Sequence, residues 1–276
     1  MVDFLKKKNL HVRDTNIVFF EIGHKYMILT DPDSVYTSVT RLIHSLFPKF
    51  DADNVISKIK NGKNWNETNK YWGKTDKEIK NDWSNNGKES ARLGTLLHEN
   101  IEKFMNFGTN DSSQISILKS NKYKNNDHDP SPEWDMFKKF VKDYHYLIPY
   151  RTEWLIYDEK LKLAGSIDMV YKNDDGSVSI YDWKRCKEIK YDTEWNEMAS
   201  KKCIKHLPNT NYWHYSLQLN IYRKLLERNY GLKVKELFLI QLHRENNENS
   251  YEKHEVIIFD KEIEELFEEI EMRFKV

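Results

Sequence analysis

The sequence contains little cysteine, and this scarcity excludes several classes of protein. Cys186 and Cys203 are the only two cysteines in 276 residues. Two thiols cannot build the disulfide framework of a small secreted protein, nor the four-thiolate site that holds zinc or an iron–sulfur cluster. The pair could serve redox chemistry, but two incidental thiols in a reducing compartment are the simpler interpretation.

Long apolar runs are missing as well. No stretch of the sequence approaches the roughly 18 to 20 apolar residues that a helix needs to cross a bilayer. The N-terminal residues, MVDFLKKKNLHV, lack the apolar core of a secretory signal. We therefore expect an intracellular protein that is not secreted and has no membrane partner.

The chain has no excess of charge of either sign, with 44 basic and 44 acidic side chains. This balance gives no support to nucleic-acid binding, because many nucleic-acid-binding proteins are clearly basic. The charges are uneven, however: residues 184–190 (KRCKEIK) and 201–206 (KKCIKH) are basic, whereas residues 260–271 (DKEIEELFEEIE) are acidic. An acidic C-terminal helix could mask a basic groove, although two solvated faces of opposite sign explain the pattern equally well.

The order of periodic segments predicts an α/β protein. Strands are predicted over residues 16–22, 25–30, 150–158, 161–172, 177–186, 234–243 and 254–259. Helices are predicted from Ser38 or Thr40 to Leu46, and over residues 88–107, 132–147, 212–229 and 260–271. This order favours a mixed central sheet flanked by helices. We expect one domain over residues 1–276, with a hairpin and helical region over 1–87 and a core over about 88–259.

Two acidic residues face each other in a predicted hairpin. The turn Asn173-Asp174-Asp175-Gly176 joins two strands, and strand alternation puts Asp182 and Lys184 on one face of the second strand. A turn centred on Asp175 places Asp168 directly across from Asp182. Like charges that face each other across a ladder destabilise it, so a compensating group is expected.

A divalent cation would offset that repulsion, since Mg²⁺ and Mn²⁺ prefer carboxylate oxygens. Lys184 would then lie beside the cation, where it could orient or help deprotonate a bound water, or stabilise charge that develops on a phosphate. The alternative is that Asp168 and Asp182 lie at exposed strand ends and Lys184 pairs with one of them. The spacing alone does not distinguish the two.

The segments GSIDMVY and VSIYDWKR resemble the PD-(D/E)XK nuclease superfamily, in which an Asp and a (D/E)-x-K lie on adjacent strands. Gly94 and His98 in GTLLHENIE match the G-x-x-x-H of the RecB-type exonuclease branch. Gln218 and Tyr222 in YSLQLNIYRKLLE match its Q-x-x-x-Y. The segment YTSVTRLI is similar to the mitochondrial genome maintenance exonuclease, and residues 209–231 are similar to nucleases of large DNA viruses and phages. The resemblance spans residues 36–245.

The resemblance implies a restriction-endonuclease-like core with a metal site for Mg²⁺ or Mn²⁺. His98, Asp168 and Asp182 would be the ligands, Lys184 would be catalytic with the two aspartates, and Glu153 would be an outer or second-metal carboxylate. Gly94 would let the His98 helix approach the sheet closely. For His98 alone, a buried histidine bonded to a backbone carbonyl remains the alternative.

The resemblance also implies substrate-binding residues. Gln218 and Tyr222 lie on one helical face and would order the site and contact substrate, or would form an interior hydrogen-bonded pair. Candidate phosphate contacts, each of which could equally be a surface charge, are Arg41, Arg92, Arg185 and Lys187. Ser38 and Thr40 could contact substrate or only cap their helix.

Three departures from the family pattern carry information. Ile167 stands where the superfamily name has proline, and the cysteines of cluster-bearing relatives are missing, so no iron–sulfur cluster is expected. A longer segment, residues 187–212, precedes the glutamine helix. Aromatic residues in or beside this segment could stack on single-stranded DNA or pack as a small insert; they are Trp195, Tyr212, Trp213 and His214.

The resemblance implies a metal-dependent exonuclease that acts on DNA ends in replication, recombination or repair, in the cytoplasm, the nucleus or the viral factory of an infected cell. An endonuclease on the same site and a catalytically silent nucleic-acid-binding module are the alternatives, and RNA remains open as a substrate. The intact set of His98, Asp168, Asp182 and Lys184 argues against the silent module.

Overall fold

The computed structural model describes residues 3–108, 113–120, 129–193 and 197–274. The chain divides into two compact units, which we call the sheet unit (Met1–Pro48 with Leu97–Val276) and the helical unit (Lys49–Leu96). The assignment of residues 1–276 to one domain stays a prediction. None of the helices in these ranges combines the length and the apolar character that a bilayer crossing demands.

The elements follow the predicted order. In chain order the helices are α1 (Phe4–Lys8), α2 (Val39–Leu46), α3 (Ala52–Lys60), α4 (Asp76–Met105), α5 (Gln114–Lys119), α6 (Pro132–Asp143), α7 (Asn211–Asn229) and α8 (Asp260–Met272). The strands are β1 (Ile17–Phe20), β2 (Lys25–Ile28), β3 (Thr37–Ser38), β4 (Ile148–Asp158), β5 (Leu163–Lys172), β6 (Val178–Lys184), β7 (Val234–Gln241) and β8 (Glu252–Glu255). β1 and β2 form the predicted hairpin, whose turn residues Gly23 and His24 have φ angles of 86° and 49°.

Helix α4 begins earlier than the sequence predicts. The predicted start near Lys88 is wrong, because the helix starts at Asp76 after a capping box. The Thr75 N–H donates to Glu78 Oε2 at 2.7 Å, and the Glu78 N–H donates to Thr75 Oγ1 at 3.3 Å. This reciprocal pair satisfies two backbone donors at the helix start. Gly87, which lowers helix propensity, obscured the continuity of the helix in the sequence.

The remaining strands build one mixed sheet, which confirms the predicted fold class. β4 runs antiparallel along β5, and β5 and β6 form the predicted antiparallel hairpin. β7 is parallel to β6, with α7 as the connecting helix, and β8 is antiparallel to β7. Helices cover both faces, as a parallel crossover requires.

Alternation along β6 distributes its side chains between two apolar layers. Ile180 packs in a cluster with residues of α2, α7 and α8, whereas Tyr181 and Trp183 pack in a second cluster with residues of α6 and of the C-terminal part of α4. Helix α7 is buried on most of its circumference, and Leu217 and Leu225 are among its residues that pack in the first cluster. Asp182 and Lys184 therefore point toward the α7 side of the sheet.

One edge of β5 changes partner along its length. β3 pairs with Leu163 and Ala164 at the start of β5, and β6 pairs with Met169 to Lys172 at its end. β4 occupies the opposite edge. In the described part of the chain, the segment between these partners, residues 165–168, has no ladder pair on this edge. β5 and β6 thus separate at Asp168, one residue beyond the pair Met169–Tyr181.

The acidic C-terminal helix α8 lies against basic residues of α7 and the segment before it. Arg223 Nη2 is 2.6 Å from Asp260 Oδ1, and Lys201 Nζ is 3.0 Å from Glu269 Oε2. These ion pairs account for part of the uneven charge in the sequence, because the acidic run neutralises basic side chains within the fold. The basic run at residues 184–190 takes no part in these two pairs, so a masked groove and two solvated faces both stay open there.

Gly165 is required by close packing between β5 and α7. A Cβ atom at this position would lie 2.6 Å from Tyr222 Cε1 and 2.9 Å from the Tyr222 hydroxyl oxygen. Gly94 has no such constraint: within the described ranges, a Cβ there would meet nothing within 4 Å outside its own helix and chain neighbours. The expectation that Gly94 lets its helix approach the sheet closely stays a prediction, because Gly94 belongs to the helical unit.

We predict that Gly165→Ala lowers the free energy of unfolding by about 1–3 kcal/mol, because the added methyl group must displace a buried tyrosine ring. Gly94→Ala is the matched control and should raise stability by about 0.5–1 kcal/mol, since its site is open and helical. Urea unfolding followed by circular dichroism measures both. Equal stability of Gly165→Ala and the parent protein would contradict the packing described.

Candidate active site

Three side chains from three elements converge where β5 and β6 separate. His98 comes from α4, Glu153 from β4 and Asp168 from β5. His98 Nδ1 lies 3.5 Å from Glu153 Oε1 and 3.6 Å from Asp168 Oδ2. One possible ligand atom from each residue lies within 4.8 Å of the other two. We call these three residues the triad.

The backbone of Trp183 holds two members of the triad. His98 Nε2 is 2.9 Å from the Trp183 carbonyl oxygen, which can only accept, so Nε2 carries the proton. The Trp183 N–H donates to Asp168 Oδ2 at 2.9 Å. When the imidazole is neutral, Nδ1 therefore presents its lone pair to the two carboxylates. This arrangement of a histidine fixed through its other nitrogen is the one found around metal ions. The predicted alternative, a histidine bonded to a carbonyl, thus holds for Nε2 and leaves Nδ1 available.

Glu153 has an unusual backbone conformation in the middle of a strand. Its φ is +43°, and it lies between the ladder pairs Thr152–Met169 and Trp154–Ile167, opposite Asp168. Ser166 Oγ donates to Glu153 Oε2 at 3.1 Å and fixes the carboxylate. A non-glycine residue at positive φ costs about 1–3 kcal/mol, and such strain concentrates at functional sites.

Asp182 and Lys184 form a second pair beside the triad. Lys184 Nζ is 2.6 Å from Asp182 Oδ2, and it lies 4.4 Å from the centre of the Tyr215 ring. The Asp182 side chain is only 3% exposed. The predicted alternative of an ion pair at an exposed strand end is therefore half right, because the pair exists but is buried. Asp182 lies beside the triad, which contains Glu153, and its role as a metal ligand stays a prediction.

The charges of the site shift its titration. Burial raises the pKa of Asp168, and burial together with the charge of Asp168 raises the pKa of Asp182 to about 6. Burial lowers the pKa of His98, but the charge of Asp168 and the contact with Glu153 outweigh this effect and raise it to about 9. Burial opposes the charge of Lys184, yet Asp182 and Asp168 together raise its pKa. The pKa of Asp168 and of Asp182 thus stays raised, although the nearby charges of His98 and Lys184 lower it.

The donor set of the triad fits a divalent cation. It offers one imidazole nitrogen and carboxylate oxygens, which suit Mn²⁺ and Mg²⁺ and similar ions. The raised pKa values of Asp168 and Asp182 are a second indication, since a bound cation would compensate carboxylates that the protein alone leaves unbalanced. The residues present therefore fit a metal ion.

Gln218 and Tyr222 form a hydrogen-bonded pair inside the protein, which is one of the two alternatives that the sequence analysis gave for them. Gln218 Nε2 donates to the Tyr222 hydroxyl at 3.1 Å, and Tyr222 is only 3% exposed because it packs over Gly165. Tyr222 therefore has almost no surface with which to touch a substrate. A substrate contact by Gln218, which is half-buried, stays a prediction.

Arg185 is largely buried and paired with an acid rather than free at the surface, and a phosphate contact by Arg185 stays a prediction. Its Nη2 is 3.0 Å from Glu133 Oε1, and its side chain is 8% exposed. The fold needs this pair because either charge alone would be costly at such depth. Nothing in the sequence marked Glu133 as the partner, because the two residues lie far apart along the chain.

The other proposed contacts are exposed or have local partners. Arg92 is exposed and makes two hydrogen bonds to Glu89 in the helical unit. Ser38 caps α2, since its Oγ accepts the Arg41 N–H at 3.1 Å, and Lys187 Nζ lies 2.6 Å from Glu245 Oε2. Thr40 and Arg41 are exposed. Substrate contacts by Ser38 and Arg92 stay predictions.

The aromatic residues at the start of α7 pack against other parts of the protein, with Tyr212 buried and Trp213 and His214 half-buried. The Tyr212 hydroxyl donates to the Glu255 carbonyl at 3.0 Å, Trp213 Nε1 donates to the Tyr191 carbonyl at 2.8 Å, and the His214 ring lies 4.0 Å from the Phe47 ring. These contacts favour a packed insert over a stacking platform. Trp195 lies outside the described residues.

A mixed sheet whose central hairpin carries an aspartate and a D-x-K beside a helical histidine defines a nuclease. The chain belongs to the PD-(D/E)XK nuclease superfamily, whose family model matches residues 71–275. This membership confirms the resemblance read from the hairpin segments.

Solved structures add only distant likenesses. The structure named SSO0001 has 14% sequence identity and a TM-score of 0.27, with 58% of this chain and 64% of that chain covered. A candidate exonuclease from Eubacterium rectale has 12% identity and a TM-score of 0.36, with 66% and 64% covered. The chain thus spans less than two thirds of the length of either protein. Among curated proteins, none matches the sequence significantly.

We predict that Asp182→Asn stabilises the metal-free protein above pH 6 by roughly 1–3 kcal/mol, because a raised pKa in the folded state means that ionisation favours unfolding. The gain should shrink as the pH falls from about 6 toward about 4, where the carboxyl becomes protonated in both states. Urea titrations at several pH values, with a chelator present, measure it.

Asp175→Asn is the matched control for that experiment. Asp175 lies in the turn of the same hairpin, and its hydrogen bonds with Ser177 lower the pKa of its carboxyl. The control should therefore bring no gain in stability. Asp182→Asn without a gain above pH 6 would contradict the electrostatic imbalance of the buried carboxylates.

We also predict that the affinity for Mn²⁺ rises with pH up to about 9, because the ion must displace the proton that the carboxylates hold on His98. Below that pH the affinity should change by about tenfold per pH unit for each proton released. Calorimetric titrations in buffers of different ionisation enthalpy measure affinity and proton release together. His98→Gln should flatten the pH dependence, and a flat profile in the parent protein would exclude His98 Nδ1 as a ligand.

Proposed function

We propose that this nuclease is a divalent-metal-dependent deoxyribonuclease that hydrolyses phosphodiester bonds from DNA ends, with Mg²⁺ or Mn²⁺ as cofactor. The observation that carries the proposal is the convergence of the triad beside the Asp182–Lys184 pair. Membership of the superfamily supports nucleic acid as the substrate. The RecB-type motifs at His98, Asp168, Asp182 and Lys184 support DNA ends.

The triad would hold the metal ion. His98 would bind through Nδ1, Glu153 and Asp168 would bind through carboxylate oxygens, and Asp182 is the fourth candidate ligand. When bound, the ion supplies a Lewis acid that polarises a phosphoryl oxygen and lowers the pKa of a coordinated water.

Lys184 would act on the reacting phosphate. Its ammonium is held at 2.6 Å from Asp182 and remains 17% exposed, so it can reach a substrate that approaches the carboxylates. A fixed positive charge at this place stabilises negative charge that develops on the phosphate, and it can also orient the attacking water. Asp182 and Asp168 raise the pKa of Lys184, which favours the cationic form of the lysine.

Lys184→Ala should lower the rate of DNA cleavage by about a hundredfold to a thousandfold, the usual effect of removing one transition-state contact. The assay follows end-labelled linear and circular DNA, single- and double-stranded, with Mg²⁺, Mn²⁺ or a chelator. Linear DNA should be degraded from its ends, circular DNA should persist, and the chelator should stop the reaction. Lys172→Ala, which removes an exposed lysine at the end of β5, should cleave like the parent.

Each arm of the assay tests a different part of the proposal. Cleavage of circular DNA would make the protein an endonuclease on the same site. Cleavage of RNA alone would leave the metal site in place but change the substrate. Lys184→Ala that cuts as fast as the parent would overturn the assigned role of the lysine, and the absence of cleavage in the parent under all conditions would favour a silent binding module.

A further inference from the structure

The ammonium of Lys184 contacts an aromatic ring in addition to its carboxylate. Nζ lies 4.4 Å from the centre of the Tyr215 ring and 2.6 Å from Asp182 Oδ2. A cation within about 6 Å of a ring face is attracted by the negative charge density of that face, most strongly where water is excluded. Tyr215 is half-buried and packs against the same apolar cluster as the rest of α7.

Tyr215 shares a helical face with two residues of the family motif. It precedes Gln218 by three positions and Tyr222 by seven, a spacing that places all three on one side of α7. Tyr222 packs over Gly165 on β5, and Tyr215 reaches the end of β6. The same helix face therefore meets both strands at the point where they separate.

The position of α7 is fixed independently of the active site. Asn220 Nδ2 donates to the Ile257 carbonyl at 2.8 Å, and the Phe259 N–H donates to Asn220 Oδ1 at 2.8 Å. These buried bonds tie the helix to the segment that follows β8. The Tyr215 ring is thus presented from a rigid element, whereas Lys184 carries its charge on four rotatable bonds.

Two carboxylates act on the Lys184 ammonium, so a further contact is needed to fix its position. Asp182 and Asp168 both attract its ammonium. Without a further contact, the flexible chain could distribute its charge between the two carboxylates and solvent. The Tyr215 ring, whose centre lies 4.4 Å from Nζ, limits the directions open to an ammonium that is 2.6 Å from Asp182 Oδ2.

We propose that Tyr215 is a positioning residue, whose ring face holds the Lys184 ammonium against Asp182 and aims it at the reacting phosphate. The inference rests on the proposed role of Lys184 in hydrolysis. It assigns a function to the Tyr215 ring and none to its hydroxyl. Phenylalanine at this position should therefore preserve the function, whereas an aliphatic side chain of similar bulk should lose it.

The kinetic test compares two substitutions. Tyr215→Phe keeps the ring face and should retain the parent kcat within about twofold, whereas Tyr215→Leu should lower kcat by about tenfold with KM unchanged, because the loss concerns the reacting state rather than substrate binding. A merely structural role would lower the thermal stability of Tyr215→Leu without this loss of kcat. Equal kcat values for Tyr215→Leu and the parent would overturn the proposal.

Phe267→Leu is the matched control. Phe267 lies on α8 in the same apolar cluster, and the Arg228 guanidinium lies 5.4 Å from its ring centre, so this change also removes a ring from a cation–π contact. It should lower the melting temperature while leaving kcat unchanged. If Phe267→Leu lowered kcat as much as Tyr215→Leu does, the effect would come from loosened packing, and the proposal would be wrong.

A second measurement does not depend on activity. In NMR spectra of the metal-free protein, the ring current of Tyr215 should shift the Lys184 ε-methylene protons upfield, with the signal assigned from its loss in Lys184→Ala. The shift should persist in Tyr215→Phe and vanish in Tyr215→Leu. If these results hold while the parent cleaves no DNA, the proposed function fails but the contact stands; if the shift is missing from the parent, the positioning proposal fails alone.

Discussion

The burial of carboxylates at the parting of β5 and β6, together with the repulsion between them, governs the structure of this site. Asp168 and Asp182 occupy the first positions beyond the ladder, and Glu153 faces Asp168 from the other side. Burial weakens the solvation of Asp168 and Asp182, whereas Glu153 is 29% exposed, and repulsion between carboxylates grows as the local dielectric falls. His98 and Lys184 lower the pKa of both aspartates, but burial outweighs their effect and the pKa of each aspartate stays raised.

The sheet accommodates these carboxylates because one edge of β5 pairs first with β3 and then with β6. Between the two residues that pair with β3 and the four that pair with β6, the strand has a free edge of four residues in the described structure. The Tyr222 ring fills the end of this gap over Gly165, and the triad occupies the other end at Asp168. The same irregularity therefore supports both the packing of α7 and the chemistry of the site.

The sequence was informative where a short-range pattern determines structure. Alternation and the turn at Asn173-Asp174-Asp175-Gly176 were enough to place Asp168, Asp182 and Lys184 at adjoining positions of one hairpin. The family resemblance added His98, which no pattern in the strands could reach. The long start of α4 was also readable, because Thr75 and Glu78 have capping-box spacing, although the glycine within the helix obscured it.

Other features depend on contacts between distant parts of the chain. Arg185 looked like a free cation because its partner Glu133 lies on α6, which only the folded sheet brings near. Glu153 joins the triad with a positive φ in the interior of a strand. Glutamate has no preference for this conformation, so the sequence does not indicate it. The ring of Tyr215 meets Lys184 only once the register of α7 against β6 is known.

Trp183 contributes to this site through its peptide groups rather than its indole. Its N–H holds Asp168 and its carbonyl holds His98, and every amino acid except proline carries the same two groups. Replacement of the side chain would thus disturb the core and leave this scaffold chemically intact. A residue-by-residue alanine scan would overlook these two hydrogen bonds, because they are made by the backbone of residue 183 and do not depend on its side chain.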